Sequence, residues 1–363
     1  MDATLTRLLT DKTDPARSRI ETGPLAPAAE GEALLAIRRL ALTTNNITYA
    51  AFGDAMRYWD FFPTGSDGWG QIPAWGFADV VASAVPGVDV GERIYGYFPI
   101  ASHLRVQPVR VGERGFLDGS AHRAELASAY NQYSLCRADP SYAEADEALV
   151  ALLRPLYVTA FFLADFLQDN AAFGAKRLLV SSASSKTAYG SARGLHGQAG
   201  LQLIGLTSAR HRGFVEGLGC YDRVLAYDEL EAALAPDAPT LYLDFSGDAA
   251  LRARVHHHLG AALVYDCHVG SAQTTAFVAD ATLPGPRPKF YFAPAQIRKR
   301  HAEWGPAAAT QRYGEAEREF FAQVRRADWL RVAEERGFDA AQRVIAGLAA
   351  GRVDPQVGQV IVL

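Results

Sequence analysis

The sequence predicts a two-domain α/β protein, in which a compact β-barrel precedes a domain built on a doubly wound parallel sheet. Its 363 residues exceed the length of a usual single hydrophobic core, so we expect two domains. Short strand-like runs with turns between them dominate the first 150 residues, which is typical of a barrel. Beyond residue 150, apolar runs alternate with segments of helical spacing, as in a parallel sheet.

Composition and charge exclude several kinds of partner. Hydrophobic residues make up 49% and charged residues 21% of the chain, which is an ordinary globular balance. A formal net charge of −4 and a pI near 6.2 provide no positive surface for nucleic acid or an anionic membrane. The first residues lack the apolar segment of a signal peptide, and no stretch approaches about 18 uninterrupted apolar residues. We therefore expect a cytoplasmic protein without a nucleic-acid or membrane partner.

Cysteine and histidine spacing argues against a metal site. Cys136, Cys220 and Cys267 are widely separated and form no C-x-x-C motif or Cys/His pair at ligand spacing. We expect reduced thiols and no structural zinc. Three consecutive histidines at 256–258 would face different directions on a helix and could not converge on one ion. We expect these histidines at the surface.

The barrel is predicted from apolar runs that are interrupted at short intervals. The strand-like runs are 31–37, 40–42, 72–82 and 94–98. Polar residues at 43–49 follow the second run, and proline and glycine at 86–93 supply turns before the last one. Short strands at this spacing predict a compact β domain.

Residues 177–208 form the centre of the second domain. The apolar run 177–180, a turn of small and hydroxylated residues at 181–188, a helix and a second apolar run at 201–206 follow one another. This order predicts a β-α-β unit with two parallel strands. The turn would direct free backbone N–H groups and the positive end of the helix dipole at a phosphate. We therefore expect a nucleotide pyrophosphate at Ser184, Ser185, Lys186 and Thr187.

The glycine fingerprint of such a turn is altered. A G-x-G-x-x-G loop places glycine where the backbone turns tightly, approaches the pyrophosphate and packs helix against strand. Here serine, alanine and Lys186 occupy those places, and Gly190 and Gly194 come later. The alternative is an ordinary loop whose helix is capped by Ser184 or Ser185. The end of a P-loop is disfavoured, because the glycines of that motif are absent.

The segment after the second strand carries hydroxyl and cationic side chains and no acid. An NAD site places Asp or Glu here on the ribose 2′-hydroxyl, whereas an NADP site places cations and hydroxyls on the 2′-phosphate. The residues available are Thr207, Ser208, Arg210 and Arg212. They favour NADP(H) if a dinucleotide binds. The alternative is that both arginines belong to a solvated loop. Further strands are expected at 223–227, 240–245 and 261–265.

Several motifs carry a family resemblance. They are the segment 45–49, the strand 76–81, the turn and strand 88–96, the stretch 129–133 and the helix start 156–160. In this order they resemble the medium-chain dehydrogenase/reductase superfamily, in particular its zinc-independent quinone oxidoreductase and enoyl reductase branch. More narrowly, the segments 45–49, 129–133 and 182–188 resemble the DUF2855 proteins, a subfamily of unassigned function.

The resemblance implies a domain organisation. A GroES-like β-barrel catalytic domain would comprise 1–150 and 308–363, and a Rossmann dinucleotide-binding domain would comprise 151–307. A sixth strand is expected at 290–292, a helix at 315–326 that packs back on the first domain, and a last strand at 360–363. The resemblance also implies a homodimer, formed through an edge strand near Phe277.

The resemblance further assigns roles to side chains. Tyr49 lies at or next to the position of a proton donor or oxyanion stabiliser, and a phenol can perform both tasks. The alternative is that Tyr49 is a core aromatic residue with a satisfied hydroxyl. Asn45 would orient substrate or ribose, unless it is only a buried turn residue, and Asn131 is a third candidate. The residues expected near the nicotinamide are Ser246, Gly247, Val269 and Gly270.

Catalysis by zinc is not expected. Zinc-dependent relatives carry an early Cys near Asn46 and then a His-Glu pair, but here the early segment has no Cys and 60–79 has neither His nor Glu. The predicted function is therefore a metal-free, NADPH-dependent reduction of a carbonyl or activated C=C bond, as in an enone, quinone or enoyl thioester. Aromatic residues of the first domain suggest a hydrophobic or aromatic small-molecule substrate. The alternative is a catalytically silent dinucleotide-binding or scaffold protein of the same fold.

Overall fold

The computed structural model describes residues 4–270, 283–352 and 354–363. The strands in these ranges are β1 (Thr4–Asp11), β2 (Ser18–Pro24), β3 (Ala33–Leu42), β4 (Trp69–Gly70), β5 (Pro73–Ser83), β6 (Arg93–Pro99), β7 (His103–Val106), β8 (Pro108–Gly112), β9 (Gly115–Asp118), β10 (Gln132–Leu135), β11 (Arg177–Val180), β12 (Gln202–Thr207), β13 (Arg223–Ala226), β14 (Thr240–Asp244), β15 (Leu263–His268), β16 (Lys289–Phe290), β17 (Arg331–Arg336) and β18 (Val357–Val362). The α-helices are α1 (Thr44–Ala51), α2 (Glu147–Asp169), α3 (Lys186–Leu195), α4 (Arg212–Gly217), α5 (Leu230–Ala233), α6 (Ala249–Leu259), α7 (Ala293–Trp304), α8 (Pro306–Arg326) and α9 (Gly337–Ala349).

The chain divides into two compact units. The first comprises Met1–Leu152 and Arg331–Leu363, and the second comprises Leu153–Leu330. The sequence placed the return to the first domain at 308, whereas the structure places it at Arg331, because α8 belongs to the second unit. Arg154 and Glu317 join α2 to α8 by an ion pair of 2.9 Å, and the rings of Tyr157 and Phe320 stack with centroids 4.2 Å apart. The helix expected at 315–326 therefore packs within the second unit.

The first unit is a β domain, as predicted, and its strands pair mostly antiparallel, with β17 and β18 parallel. Its larger sheet has the order β17-β18-β3-β5-β6-β10-β9-β8, with β7 paired to β3, and a smaller sheet has the order β2-β1-β4. Only glycine fits at Gly76 of β5, since an added Cβ would lie 1.9 Å from the Arg39 carbonyl oxygen of β3. Buried aliphatic residues such as Leu35, Ile37 and Ile361 form the core beneath the sheet. The last strand expected at 360–363 is confirmed as part of β18.

The second unit contains a parallel sheet with the order β13-β12-β11-β14-β15-β16. The predicted β-α-β unit at 177–208 is confirmed, since β11 and β12 pair in parallel with Val180 opposite Gly205. Strand order reverses on either side of β11, and such a switch point is where open α/β sheets bind ligands at the carboxyl ends of their strands. A sixth strand, β16, pairs with β15, but it comprises Lys289–Phe290, so of the strand expected at 290–292 only Phe290 lies in it.

Two glycines after the altered turn serve helix packing. Added Cβ atoms at Gly190 and Gly194 of α3 would lie 3.0 Å and 3.1 Å from the Cβ atoms of Ala160 and Ala164 on α2. These distances are shorter than ordinary carbon contacts, so side chains at these two positions would push the helices apart. Gly190 and Gly194 therefore explain close helix contact and not phosphate contact.

Of three further expectations, the structure contradicts the one on the histidines at 256–258. His256 is completely buried, so the expectation that the 256–258 run lies at the surface is wrong for this residue; His257 is exposed. The edge expected near Phe277 lies outside the described residues. Among the described residues, the segment Glu144–Asp169 is long and apolar enough to span a membrane by length and composition, and half of its most apolar window is buried within the protein.

Candidate functional site

The candidate catalytic side chains of the first unit begin on α1. Thr43 caps this helix by accepting a hydrogen bond from the Asn45 amide at 3.2 Å, while the Asn46 side chain accepts one from the Thr43 amide at 2.6 Å. Asn46 also donates to the Pro73 carbonyl oxygen of β5 at 2.7 Å. The helix is thereby fixed to the sheet, and Asn45 and Tyr49, four residues apart, lie on the same helix face.

Tyr49 lies in a group of aromatic residues, which we call the aromatic cluster: Tyr49, Tyr58, Trp75 and Tyr130. The Tyr49 ring centroid is 4.7 Å from that of Tyr58 and 6.2 Å from that of Tyr130. Tyr97 packs behind them, with its ring centroid 5.4 Å from that of Tyr49. Tyr49 is buried, whereas Tyr58, Trp75 and Tyr130 are partly exposed. The cluster therefore presents aromatic edges and polar atoms around one buried phenol.

Hydrogen bonding orients the Tyr49 hydroxyl group. The Trp75 indole Nε1 donates to the Tyr49 hydroxyl oxygen at 3.2 Å. An indole N–H can only donate, so the Tyr49 oxygen accepts and its own proton is directed elsewhere. The side chains of Asn45 and Tyr130 lie close enough to this hydroxyl group to lower its pKa, and the hydroxyl oxygens of Tyr58 and Tyr130 are 3.3 Å apart. Tyr49 is therefore arranged as a hydrogen-bond donor.

The phenols of the cluster are uncharged near neutral pH. Burial raises the pKa of Tyr49 well above its ordinary value, and Tyr58 raises it further, although bonds from Trp75, Asn45 and Tyr130 oppose this change. Burial likewise raises the pKa values of Tyr58 and Tyr130. A phenol with a raised pKa keeps its proton and stabilises negative charge on an oxygen by hydrogen bonding.

The structure places Asn131 beside a buried ion pair. Its amide nitrogen donates to the Arg123 carbonyl oxygen at 3.3 Å, and its amide oxygen accepts from Arg123 Nη1 at 3.5 Å. Arg123 is almost fully buried, with Nε 3.2 Å from the Asp118 carboxylate and its guanidinium 4.7 Å from the centre of the Phe62 ring. Asn131 thus orients Arg123, a residue whose burial no local sequence pattern indicated.

In the second unit, the turn after β11 is held by tyrosines. Ser182 adopts a positive φ of 49°, and its amide donates to the Tyr227 hydroxyl oxygen at 3.0 Å. The Tyr221 hydroxyl group donates to the Ala183 carbonyl oxygen at 3.0 Å. Ser185 caps α3 by accepting from the Ala188 amide at 3.3 Å, as the alternative interpretation of this turn required. The positive end of the α3 dipole still lies at Lys186 and Thr187, the first two residues of the helix.

The residues that follow β12 differ in their exposure and in their contacts with the rest of the protein. Thr207 is buried, and the Oγ atom of Ser208 is buried with no hydrogen-bond partner among the residues that the structure describes. Arg210 is exposed. Arg212 instead pairs with Glu229, and its Nη1 donates to that carboxylate at 3.0 Å. This pairing raises the pKa of Arg212 and lowers that of Glu229, so Arg210 is the more accessible cation.

Asp244 brings together the predicted residues after β14 and β15. Its carboxylate accepts from the amides of Ser246 and Gly247 at 3.0 and 2.9 Å. Its carbonyl oxygen accepts from the amides of Val269 and Gly270 at 2.9 and 3.3 Å. All four residues expected near a nicotinamide therefore surround one buried aspartate, whose central position was not predicted.

Arg252 of α6 neutralises Asp244. The guanidinium donates to the carboxylate through Nε at 3.0 Å and Nη2 at 2.5 Å, and Nη2 also donates to His268 Nδ1 at 2.9 Å. Burial alone would raise the pKa of Asp244, but His268, Arg252 and the bonds from Ser246 and Gly247 lower it well below its ordinary value. Asp244 is therefore an ionised, fully bonded anchor for both turns.

An antiparallel β domain combined with a parallel, doubly wound nucleotide-binding sheet defines the fold of the medium-chain dehydrogenase/reductase oxidoreductases. The chain resembles CurA in complex with NADPH from Vibrio vulnificus at 16% identity and a TM-score of 0.63, over 99% of each chain. It also resembles the yhdH oxidoreductase from Salmonella enterica in complex with NADP (16%, TM-score 0.54, 99% of each chain). A third similar structure is the quinone oxidoreductase from Coxiella burnetii, at 14% identity and a TM-score of 0.53, over 99% of this chain and 100% of that one. At these identities the likeness concerns the fold alone.

More narrowly, residues 40–354 match the family described as "Protein of unknown function (DUF2855)". The match spans most of the chain, and the protein belongs to this family. None of the curated proteins compared with the sequence is significantly similar to it.

Proposed function

We propose that the protein is an NADPH-dependent, zinc-independent oxidoreductase that reduces a carbonyl or an activated C=C bond of a small molecule. Enones, quinones and enoyl thioesters are the substrate classes to test first. The whole-chain likeness to oxidoreductases that hold NADPH or NADP supports this proposal. We also propose that it works in the cytoplasm as a homodimer.

The observation that carries the proposal is the hydrogen bond from Trp75 to Tyr49. Because the Tyr49 oxygen accepts from the indole, its own proton points away from Trp75, and we assign this proton to a hydrogen bond with a substrate oxygen. Negative charge that develops on that oxygen during reduction is stabilised by a preorganised donor in a site of low polarity. Asn45, on the same helix face, is close enough to the Tyr49 hydroxyl group to lower its pKa, and we assign it a role in orienting that group.

The polar residues of the second unit fit NADPH. The Ser208 hydroxyl has no partner among the described residues, Arg210 is exposed, and 207–212 contains no acid that would repel a 2′-phosphate. NADPH, when bound, supplies the hydride. We assign the pyrophosphate to Ser184, Ser185, Lys186 and Thr187, the 2′-phosphate to Thr207, Ser208, Arg210 and Arg212, and the nicotinamide end to Ser246, Gly247, Val269 and Gly270.

The aromatic cluster favours an uncharged, hydrophobic or aromatic substrate near Tyr49. Tyr58, Trp75 and Tyr130 expose ring surface, and their polar atoms are neutral donors and acceptors. Flat conjugated carbonyl compounds can stack on such rings and accept a phenol hydrogen bond.

The proposal is tested by NADPH oxidation on a panel of enones, quinones and ketones. Tyr49→Phe keeps the ring and should reduce turnover by about 10²–10⁴-fold while NADPH affinity is unchanged. Tyr97→Phe is the matched control, because the Tyr97 hydroxyl is buried without a hydrogen-bond partner in the described ranges. Wild-type turnover by Tyr49→Phe would return Tyr49 to a packing role and move the assignment to Asn45 or Asn131.

A catalytically silent dinucleotide-fold protein is the second candidate. The Ser182 amide donates a hydrogen bond to Tyr227, and Arg212 pairs with Glu229. Part of the expected phosphate-binding surface is therefore already bonded to other protein groups. If wild type binds NADPH yet turns over no member of the panel, this second function is favoured.

A further inference from the structure

The turn from Ser181 to Ser185 has a conformation that its sequence does not favour. Ser182 has a φ of 49°, in the left-handed region that glycine adopts readily and that a side chain disfavours. A serine would leave this region unless other contacts fixed it. The neighbouring amides of Ser181 and Ala183 donate to the Leu243 and Leu206 carbonyl oxygens at 3.0 Å, which ties the turn to β14 and β12. The Ser182 carbonyl oxygen accepts from the Ser185 amide at 2.8 Å, so the Ser182 amide is the group of this residue that these backbone bonds leave without a partner.

Tyr227 supplies the missing contact. Its hydroxyl oxygen accepts a hydrogen bond from the Ser182 amide at 3.0 Å, so in this conformation the amide is paired with the phenol. Tyr227 is itself anchored, because Arg254 Nη2 donates to its carbonyl oxygen at 2.8 Å while the same guanidinium pairs with Glu231. The backbone of Tyr227 is thus held from α6, which fixes the position from which its phenol reaches the turn.

Tyr221 acts on the next residue. Its hydroxyl group donates to the Ala183 carbonyl oxygen at 3.0 Å, and its ring is held closely enough against Gly205 that an added Cβ there would approach within 3.2 Å. Tyr221 and Tyr227 precede and follow β13, so residues at both ends of one strand contribute a phenol to two consecutive residues of the turn, Ser182 and Ala183.

We propose that Tyr227 and Tyr221 are positioning residues that hold the turn in the conformation that glycine provides in a G-x-G-x-x-G loop. The inference rests on the proposed function, since the turn would then present Lys186 and its hydroxylated neighbours to the pyrophosphate of NADPH. The Ser182 amide, bonded to a tyrosine, does not contact phosphate. Phosphate binding shifts from the backbone of a glycine loop to the ammonium group, the hydroxyl groups and the amides of the first turn of α3.

The test is a double-variant cycle on dinucleotide affinity. Fluorescence titration with NADPH and NADH would compare wild type, Tyr227→Phe, Ser182→Gly and the double variant, with thermal unfolding recorded for each. Tyr227→Phe should weaken both dinucleotides about three- to tenfold, the usual effect of one hydrogen bond. Ser182→Gly alone should change little, and in the double variant it should restore affinity to within about twofold of wild type, because glycine needs no tether at positive φ.

Tyr189→Phe is the matched control. The Tyr189 hydroxyl is buried in the same unit and has no hydrogen-bond partner within the described part of the chain, so its loss should leave affinity unchanged. Tyr221→Phe provides an independent variant if Tyr227→Phe folds poorly, and it should also weaken both dinucleotides.

The possible results separate the two proposals. Wild-type affinity in Tyr227→Phe and Tyr221→Phe would overturn the positioning role while leaving the proposed function intact. A loss in Tyr227→Phe that Ser182→Gly does not restore would also overturn it, because Tyr227 would then act directly and not through Ser182. Failure of wild type to bind either dinucleotide would refute the proposed function, and the positioning role with it.

Discussion

The two candidate sites are built from opposite kinds of polar group. In the first unit, the aromatic cluster offers phenols and an indole that are neutral, and burial raises the pKa of Tyr49. In the second unit, Asp244 is ionised, paired with Arg252 and bonded to the amides of two turns. The aromatic cluster is therefore uncharged, whereas the network around Asp244 contains a buried charge that must remain paired.

This difference separates two tasks. A neutral hydroxyl group can exchange one hydrogen-bond partner for another at little cost, which suits contact with a reacting oxygen. Removing the partners of a buried carboxylate has a large free-energy cost. Such a group is therefore suited to holding backbone turns in a fixed position. Removal of charge should therefore damage the second unit most, whereas the effect of Tyr49 should appear in turnover and not in stability.

The largest expected effect is the loss of the Arg252 side-chain charge. Arg252→Met keeps the aliphatic stem but leaves Asp244 ionised and buried without its partner, which should destabilise the protein by about 3–5 kcal/mol. Urea unfolding measures the change. Arg326→Met is the control, since Arg326 and Glu319 are both more than half exposed, and such pairs contribute about 0–1 kcal/mol. Equal unfolding free energies of the two variants would show that the buried pair of Arg252 and Asp244 stabilises the protein no more than an exposed pair does.

The next effect concerns Lys186, at the first position of α3. Lys186→Ala should weaken NADPH and NADH alike, by roughly tenfold or more, because a charge-assisted hydrogen bond contributes about 1.5–3 kcal/mol. Lys176→Ala, an exposed lysine before β11, is the control. Unchanged affinity for both dinucleotides in Lys186→Ala would make this lysine a solvated residue and place the phosphate anchor elsewhere. Lys186→Gly tests whether a conventional loop can be restored.

The structure separates the two arginines that the sequence treated alike. Arg210→Ala should weaken NADPH about tenfold and leave NADH nearly unchanged, because only NADPH carries the 2′-phosphate. Arg212→Ala should have a smaller effect on this selectivity, since Glu229 already holds its guanidinium. Titration of both cofactors against both variants decides the question. Equal losses for NADPH and NADH would contradict the assignment of 207–212 to the 2′-phosphate.

Local patterns made much of the fold predictable. The β-α-β unit at 177–208 follows from two apolar runs and the helix between them, all within about thirty residues. The return to the first domain was predicted at the wrong residue, 308, because the unit to which α8 belongs depends on contacts between distant residues. Arg154 and Glu317, for example, are 163 residues apart. A periodic pattern of apolar residues does not reveal a side-chain contact between residues so far apart in the sequence.

The sequence allowed individual site residues to be predicted, but not the side chains that they contact. Tyr49 was identified from its segment, but its partner Trp75 lies 26 residues away, and Tyr58 and Tyr130 are 72 residues apart. Arg252 is only eight residues from Asp244, yet a helix face with one arginine usually faces solvent. His256 was placed on a helix correctly, but its burial depends on Asp266, whose side chain it meets at 2.8 Å.

His256 gives the smallest and most specific effect, a dependence of stability on pH. Burial and Arg252 lower its pKa, but the Asp266 carboxylate and the Pro284 carbonyl oxygen outweigh them and raise the pKa above 6.5. A raised pKa means that protonated His256 stabilises the folded state fully below the pKa of the unfolded chain. This contribution is lost as pH rises through the pKa of the folded state, by about 1.4 kcal/mol for each pH unit that separates the two pKa values.

Unfolding free energies measured between about pH 6 and pH 9 should therefore fall more steeply for wild type than for His256→Gln. His257→Gln, at the exposed neighbouring position, should follow wild type. The sign matters, because a histidine that was merely buried would have a lowered pKa and would gain stability as pH rose. Parallel pH profiles for wild type and His256→Gln would show that Asp266 does not hold a proton on His256.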